Sequence, residues 1–241
     1  MSVLGQYEEY LEHTIDVTFA SLKIGKGLGY DTKKLLRLGF AALLENVGMY
    51  KIPNSILDKK GQLEPEEIAT IKKHPQTSAD ILNRMGKKYH WLAEIALQTH
   101  ERLDGSGYPQ GLKGEEISEL ASIIGVIDTY LAMIKKRPYR EKVIQTDAGK
   151  SILKNSKELF PARIVKTFFN QISLFPVNSY VKLNNKSIGR VISTEKDQPM
   201  RPLIELLYDN QRKKMERPKV ISLSKNPLLH IVGSLRENEL P

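Results

Sequence analysis

The sequence contains no cysteine, which excludes disulfide bonds, thiolate nucleophiles and cysteine-based zinc sites. His, Asp and Glu side chains are therefore the plausible protein ligands for any metal ion. The chain also lacks an apolar run of the roughly 18 residues that a membrane-spanning helix needs. Its first ten residues do not show the basic-then-apolar order of a secretion signal, so we expect a cytoplasmic protein with no membrane partner.

The composition favours a folded protein. The chain has 241 residues, of which 40% are hydrophobic and 27% charged, and this is enough to form one large domain or a domain with a small appendage. The net charge of +9 would attract phosphate or nucleic acid. The Lys and Arg residues are spread along the chain, however, so most of them are expected to be solvated surface.

Apolar residues in the first part of the chain recur at intervals of three and four, which is typical of amphipathic helices. Gly29 suits the C-terminal cap of the first helix, and Asp31 suits the N-terminal cap of the second. A Gly- and Pro-rich loop from 101 to 114 is expected to interrupt the helices. The predicted helices cover residues 7–29, 32–47, 65–74, 77–85, 89–100 and 117–133, with two more between 146 and 174.

Beyond Pro176 the pattern changes to short β-rich runs separated by turn residues. The predicted strands cover residues 180–183, 188–192, 203–208, 220–223 and 229–232. We therefore expect a mainly α protein, with a helical bundle at 1–174 followed by a small, barrel-like β module at 175–241.

Four side chains in the helical part are candidate metal ligands: His13, His74, His100 and Asp128. Glu9 lies one helical turn before His13 and is a fifth candidate. Each of these residues alone is more often a packed or capping residue than a ligand. Helical bundles nevertheless build metal sites from such side chains on separate helices.

One segment gives these candidates a context. The run THERLDGSGYP at residues 99–109 strongly resembles the motif of HD-GYP domains, a bacterial family of cyclic di-GMP phosphodiesterases. Ile52-Pro53, Lys73-His74-Pro75 and Val126-Ile127-Asp128 agree with it, as does the β-rich segment from Phe175 onward. The resemblance implies an HD-domain-like helical bundle with a small β module, and it covers nearly the whole chain.

In that family two or three metal ions, usually iron or manganese, activate a water molecule that attacks the phosphodiester of cyclic di-GMP. The resemblance implies that His13, His74, His100 and Asp128 occupy metal-ligand positions. It matches Glu9 to a further carboxylate of three-metal members.

Arg137 and Arg140 match positions that approach the substrate phosphates. Arginine suits phosphate because its planar guanidinium presents a fork of donors. A solvated surface pair is the alternative interpretation of these two residues.

The sequence departs from the family pattern in the centre of the implied site. Glu45-Asn46 stands where the family has the His-Asp pair, and Asn46 offers one neutral carbonyl oxygen where a bridging ligand needs two anionic oxygens. Met49 replaces a lysine, Thr99 replaces the first of two paired histidines, and Leu131 replaces a second aspartate. Met49 and Leu131 are apolar, which leaves open whether they fill the pocket.

The loop formed by Asp104, Gly105, Gly107, Tyr108 and Pro109 is retained. Its glycines and proline are plausible turn-formers for structural reasons alone. The resemblance implies that the loop also contributes to the pocket wall and to contacts with partners, including GGDEF-type proteins.

Three hypotheses follow. The first is a catalytically impaired HD-GYP protein in cyclic di-GMP signalling that acts as a nucleotide sensor or protein-interaction adaptor, with a reduced metal site or none. The second is an active metal-dependent phosphodiesterase with a rebuilt site. That site would consist of Glu9, His13, Glu45, His74, His100 and Asp128.

The third and weakest hypothesis is nucleic-acid binding by the basic β module, which rests on charge and one aromatic side chain without a recognised motif. The residues concerned are Tyr180, Lys182, Lys186, Arg190, Arg201, Arg212, Lys213 and Lys214.

Overall fold

The computed structural model describes residues 3–135, 143, 145–172, 174–195 and 198–241. The chain divides into two compact units, Met1–Val143 with Ile152–Val165 and Ile144–Ser151 with Lys166–Pro241. The expected domain boundary after residue 174 stays a prediction. The helices are α1 (Val3–Gly27), α2 (Thr32–Leu44), α3 (Asn54–Leu57), α4 (Pro65–Ile71), α5 (His74–Asn83), α6 (His90–Gln98), α7 (Glu119–Ile134), α8 (Gln145–Leu159) and α9 (Ala162–Gln171).

The turn between α1 and α2 follows its sequence closely. Gly29 has a φ of +80°, in the left-handed region that glycine adopts without a steric penalty. The Asp31 carboxylate then accepts a hydrogen bond from the Lys34 amide at 2.7 Å, which caps the N-terminus of α2. Val17 and Leu38 are fully buried where the two helices face the core. Both predicted caps are confirmed.

Five of the predicted helices end two or three residues earlier in the structure than predicted, and three of these ends affect the site. The predicted helix 32–47 stops at Leu44, and a 3-10 turn follows at Val47–Lys51. The predicted helix 65–74 stops at Ile71, so His74 begins α5. The predicted helix 89–100 stops at Gln98, which leaves His100 in the turn after α6.

Close tertiary approach explains the first two of these breaks. The Gly48 amide donates to the hydroxyl of Ser78 at 2.8 Å, so it is not available to continue a helical ladder. A Cβ on Gly48 would lie 2.3 Å from the His74 carbonyl oxygen. The turn therefore packs directly on the first turn of α5, where Pro75 is tolerated because that position needs no backbone N–H.

Helix α7 carries Asp128 through the core of the helical unit. Ile123, Ile124 and Val126 are fully buried around it. A Cβ on Gly125 would lie 2.4 Å from the Thr99 carbonyl oxygen. The glycine thus lets the chain after α6 approach α7 closely enough to bring His100 near Asp128.

The β part is an antiparallel sheet with the strand order β4-β3-β2-β1-β5. Its strands are β1 (Tyr180–Leu183), β2 (Ile188–Glu195), β3 (Gln198–Tyr208), β4 (Lys214–Ser222) and β5 (Ile231–Leu235). The five predicted strands are present. Strand β2 ends three residues later than predicted, and β3 and β4 begin five and six residues earlier, because sheet pairing continues through polar residues that the apolar pattern did not include. β5 begins at Ile231, two residues later than predicted.

None of the described helices combines the length and the apolar character that crossing a membrane requires.

Candidate functional site

A cavity of about 180 Å³ lies in the helical unit where the candidate ligands meet. It brings together side chains of α1, α4, α5 and α7 with those of the turn after α2 and the loop after α6. Its lining residues are Tyr10, His13, Asn46, Met49, Ile71, His74, His100, Tyr108, Asp128 and Ala132. Four of the predicted metal ligands therefore line one cavity.

His13 and Asp128 form the first pair of polar side chains in this cavity. His13 Nε2 lies 2.8 Å from Asp128 Oδ1, and both residues are buried. The other ring nitrogen of His13, Nδ1, is also buried and has no hydrogen-bond partner among the described residues. Asp128, the one carboxylate among the described residues that line the cavity, is thus already engaged by an imidazole.

His74 and His100 form the second pair. His74 Nδ1 lies 2.8 Å from the Ile71 carbonyl oxygen and must be the protonated nitrogen. In a neutral imidazole this makes His74 Nε2 an acceptor, so His100 Nε2 donates to it at 2.9 Å. Burial lowers the pKa of His74, and it lowers that of His100 to about 3. Both rings are therefore neutral near pH 7.

The described arrangement does not fit a bound metal ion as it stands. Among the residues that the structure describes, no three His, Asp or Glu side chains are grouped closely enough to hold one ion. The candidate ligands that line the cavity form two pairs, His13 with Asp128 and His74 with His100. The side chain of Glu9 and the whole of Arg137 and Arg140 lie outside the described residues, so their predicted roles stay predictions.

Glu45 is buried but does not line the cavity. Asn46 Nδ2 donates to Glu45 Oε1 at 2.5 Å, and the Thr99 hydroxyl donates to Oε2 at 3.5 Å. Burial, and then the charge of Asp128, raise the pKa of Glu45 well above its usual value. Glu45, Asn46 and Thr99 therefore interact with each other.

The two apolar replacements differ in position. Met49 lines the cavity, as does Asn46, whereas the neighbour that lines it from α7 is Ala132 and not Leu131. Met49 therefore takes up space in the pocket wall. Leu131 is not among the described residues that line the cavity.

The loop after His100 is organised by Glu101, a residue to which the sequence analysis gave no role. Its buried carboxylate accepts three backbone hydrogen bonds, from the amides of Gln110 at 2.6 Å, Gly111 at 3.2 Å and Leu112 at 3.1 Å. The signal available in the sequence was an acidic side chain directly before a Gly-rich turn, where unpaired backbone amides are expected.

Gly107 and Tyr108 bring this loop to the cavity. A Cβ on Gly107 would lie 2.4 Å from Glu101 Cα. The Tyr108 amide donates to the His100 carbonyl at 3.2 Å. The Tyr108 ring then stacks on the His100 ring, with centroids 4.9 Å apart and planes 6° apart. Of the predicted loop residues, Tyr108 is the one that lines the cavity.

The remaining loop residues shape the outer turn. Asp104 Oδ1 accepts the Ser106 amide at 2.9 Å, and Gly105 has a φ of +82°. Asp104 and Pro109 are exposed. Arg102 ties the base of the loop to α7, because its guanidinium donates to the Glu101 carbonyl at 2.7 Å and to the Thr129 hydroxyl at 3.0 Å.

Two basic residues of the β module, Arg201 and Arg190, interact with other residues of that module. Arg201 donates to the carbonyl oxygens of Leu223 at 2.7 Å and Pro227 at 3.1 Å. Arg190 forms an ion pair with Glu205 at 2.8 Å. Two of the residues on which the nucleic-acid hypothesis rests are thus explained by the β module itself.

Comparison with known families agrees with this architecture. The HD domain family matches residues 5–164, and a KOW domain associated with the HD domain matches residues 180–241. The chain therefore belongs to the HD domain family, and its Gly107-Tyr108-Pro109 motif assigns it to the HD-GYP type.

Two curated relatives are named cyclic di-GMP phosphodiesterases. PdeB of Borreliella burgdorferi is 30% identical over 234 residues, which cover 96% of this chain and 61% of PdeB. The enzyme of Thermotoga maritima is 36% identical over 174 residues, which cover 70% of this chain and 47% of that protein. This chain thus spans about half to three fifths of the length of these relatives.

A solved structure supports the fold. An HDG"Y"P protein from Bdellovibrio bacteriovorus superposes with a TM-score of 0.54 at 24% identity, over 66% of this chain and 50% of the other.

Proposed function

We propose that this chain is a signalling HD-GYP domain that binds a cyclic dinucleotide and has lost efficient hydrolysis. Cyclic di-GMP is the first candidate for this ligand. It acts as a nucleotide sensor or as an adaptor for a signalling partner of the GGDEF or another type. The observation that carries this proposal is the pairing of His13 with Asp128 and of His74 with His100 in a cavity walled by Asn46 and Met49.

Two metals must be held by shared anionic oxygens before they can stabilise both the entering and the leaving oxygen of a phosphodiester. Asn46 supplies no anionic oxygen, and Glu45 is turned to Asn46 and Thr99. Replacing a bridging carboxylate should cost more than the roughly 10- to 100-fold that loss of one outer partner costs. We therefore expect the chain to retain ligand binding although it has lost efficient hydrolysis.

The cavity still suits part of a nucleotide. Its volume of about 180 Å³ is below the roughly 300–1,000 Å³ of typical ligand pockets, so it would admit a phosphodiester group with the bases outside. The Tyr108 ring, which stacks on His100, lines the cavity, and Lys72 Nζ lies 5.3 Å from the centroid of that ring. An aromatic ring beside a cation is suited to a base and its phosphate.

Calorimetric titration with cyclic di-GMP, run beside a hydrolysis assay after anaerobic loading with iron or manganese, tests this proposal. We expect binding without turnover. The matched variant carries Glu45→His, Asn46→Asp, Met49→Lys and Thr99→His, and we expect it to hydrolyse the ligand. Adding Asp128→Asn to that variant should abolish the hydrolysis again, because the restored site depends on that carboxylate.

Turnover by the natural protein that a chelator stops would overturn the loss of hydrolysis. Absence of binding to any cyclic dinucleotide would overturn the sensor role and leave the adaptor role to be tested by capture of GGDEF-type proteins.

One observation favours the alternative of an active, metal-dependent phosphodiesterase. His13 Nδ1 is buried without a hydrogen-bond partner among the described residues, and a buried polar atom of this kind calls for an explanation. A rebuilt site that includes Glu9 and Glu45 would engage it. The same hydrolysis assay with the natural protein distinguishes this alternative from the main proposal.

A further inference from the structure

Helix α1 exposes an apolar stripe to solvent. Leu11, Ile15 and Phe19 follow each other at intervals of four residues, and all three are exposed. Phe19 has 71% of its surface accessible. Residues at this spacing lie on one side of a helix. The opposite side of α1, with Val17 and Ile24, is buried in the core, so the helix is apolar on two sides.

Helix α2 exposes a second stripe formed by Leu36, Phe40 and Leu43. The two helices pack as an antiparallel hairpin, because Gly25 approaches Leu38 and Gly39 approaches Leu22. Leu22 follows Phe19 by three residues and Gly39 precedes Phe40. The two stripes therefore border the same helix–helix groove from either side. We call these six residues, Leu11, Ile15, Phe19, Leu36, Phe40 and Leu43, the apolar face.

The apolar face is large for a solvated surface. Side chains of this size, exposed by about half, offer on the order of 100 Å² each, or about 600 Å² together. This is at the upper limit of the roughly 300–600 Å² of the largest patch on a typical monomer. It is about three quarters of the roughly 800 Å² that each partner buries in a standard interface. Flanking polar side chains would supply the remainder.

The charges along the hairpin are unequally distributed. The half that is far from the α1–α2 turn carries the exposed acidic residues Glu12 and Asp16 on α1, of which Asp16 already pairs with Lys135. The half near the turn carries the exposed basic residues Lys23 and Lys26 on α1 and Lys33 and Arg37 on α2. A second copy of this hairpin laid antiparallel on the first would therefore set acidic ends against basic ends. A parallel arrangement would set basic ends against each other.

We propose that the apolar face is the interface of a two-fold symmetric dimer of this chain, in which α1 and α2 pack antiparallel on the same helices of the second copy. The two-fold axis lies in the interface and passes near Phe19. Positions 12 and 26 are equally far from Phe19, so Glu12 of each copy faces Lys26 of the other. An isologous interface makes each such contact twice.

The dimer is tested by light scattering after size exclusion and by sedimentation over a concentration series. We expect a mass of twice the 27.4 kDa of one chain, with dissociation on dilution. Phe19→Asp and Phe40→Asp should each weaken the dimer by roughly 100-fold or more, because a central aromatic side chain is lost twice in a two-fold interface. Both side chains are exposed, so we expect unchanged circular dichroism and thermal melting of the monomer.

The matched control is Leu228→Asp, which introduces the same charge at a side chain with 87% of its surface accessible in the β unit. It should leave the dimer mass unchanged. A natural protein that is monomeric at 100-fold the working concentration, or a dimer that both Phe substitutions leave intact, would overturn the proposal.

A charge-exchange experiment tests the antiparallel arrangement. Glu12→Lys alone and Lys26→Glu alone should each weaken the dimer by about 3- to 10-fold, since each places like charges opposite each other. The double variant should recover the affinity of the natural protein. If the double variant dimerises more weakly than both single variants, the copies do not pack antiparallel about Phe19.

Discussion

The loop after α6 and the neighbouring cavity that the candidate ligands line are stabilised in different ways, although both include His100. In the loop, the buried groups have complementary partners: Glu101 receives three backbone amides, and Arg102 donates to two carbonyls and a hydroxyl. In the cavity, imidazoles bond to one another and to one carboxylate, next to Asn46 and Met49. The loop is thus held by the protein's own hydrogen bonds, and its conformation does not require a metal.

The strongest test of this comparison is Gly107→Ala. A Cβ at this position would lie 2.4–2.6 Å from three backbone atoms, which cannot move without opening the loop. We expect a loss of about 3 kcal/mol of stability, measured by urea unfolding with the fluorescence of Trp91, the one tryptophan of the chain. Gly39→Ala is the control, because its Cβ meets only the side chain of Leu22 at 3.4 Å or more. It should not lower stability.

The next largest effect is expected for Glu101→Gln. The amide nitrogen that replaces one carboxylate oxygen would face a backbone N–H, so that hydrogen bond is lost. The remaining hydrogen bonds weaken because their acceptor is no longer charged. The free energy of unfolding should fall by about 2 kcal/mol. Glu115→Gln, at an exposed position in the same segment, should stay within about 0.5 kcal/mol of the natural protein. Equal effects of the two variants would show that Glu101 does not organise the loop.

Tyr108→Leu tests the point where the loop and the cavity meet. It keeps an apolar side chain but removes the ring stacked on His100, so stability should fall by about 1 kcal/mol. Binding of cyclic di-GMP should weaken by more than this structural loss explains if the ring is a stacking face for the ligand. Tyr89→Leu, away from the cavity, is the control for both calorimetric binding and unfolding.

The smallest effect is expected from metal removal. A chelator should leave the Tm of the natural protein unchanged, since no three of the described His, Asp or Glu side chains are grouped to hold one ion, and it should lower the Tm of the four-residue restored variant by several degrees. A decrease in the Tm of the natural protein on addition of chelator would contradict the comparison. The cavity would then depend on a bound metal, whereas the loop does not.

Local sequence patterns predicted much of the architecture. The intervals between apolar residues predicted the helices, and Asp31 and Gly29 predicted the turn between α1 and α2. The turn residues after Pro176 predicted a β module of five strands. These features depend on neighbouring residues, so the sequence carries them directly. The loop motif at 99–109 likewise indicated the family.

Tertiary contacts decided what the local patterns missed. The helix ends at Leu44 and Ile71 follow from the approach of Gly48 to the first turn of α5, which joins segments that are far apart in sequence. The role of Glu101 depends on three amides nine to eleven residues away.

The sequence by itself determined which side chains are present: the candidate ligands His13, His74, His100 and Asp128, and the expected departures Glu45, Asn46 and Met49. Only the tertiary structure decided how these groups interact. Burial lowers the pKa of His74 and of His100 and raises that of Glu45, and packing sets the distances between the polar atoms of the cavity. Spacing along a chain cannot give either quantity, because both depend on residues that meet only when the helices pack together.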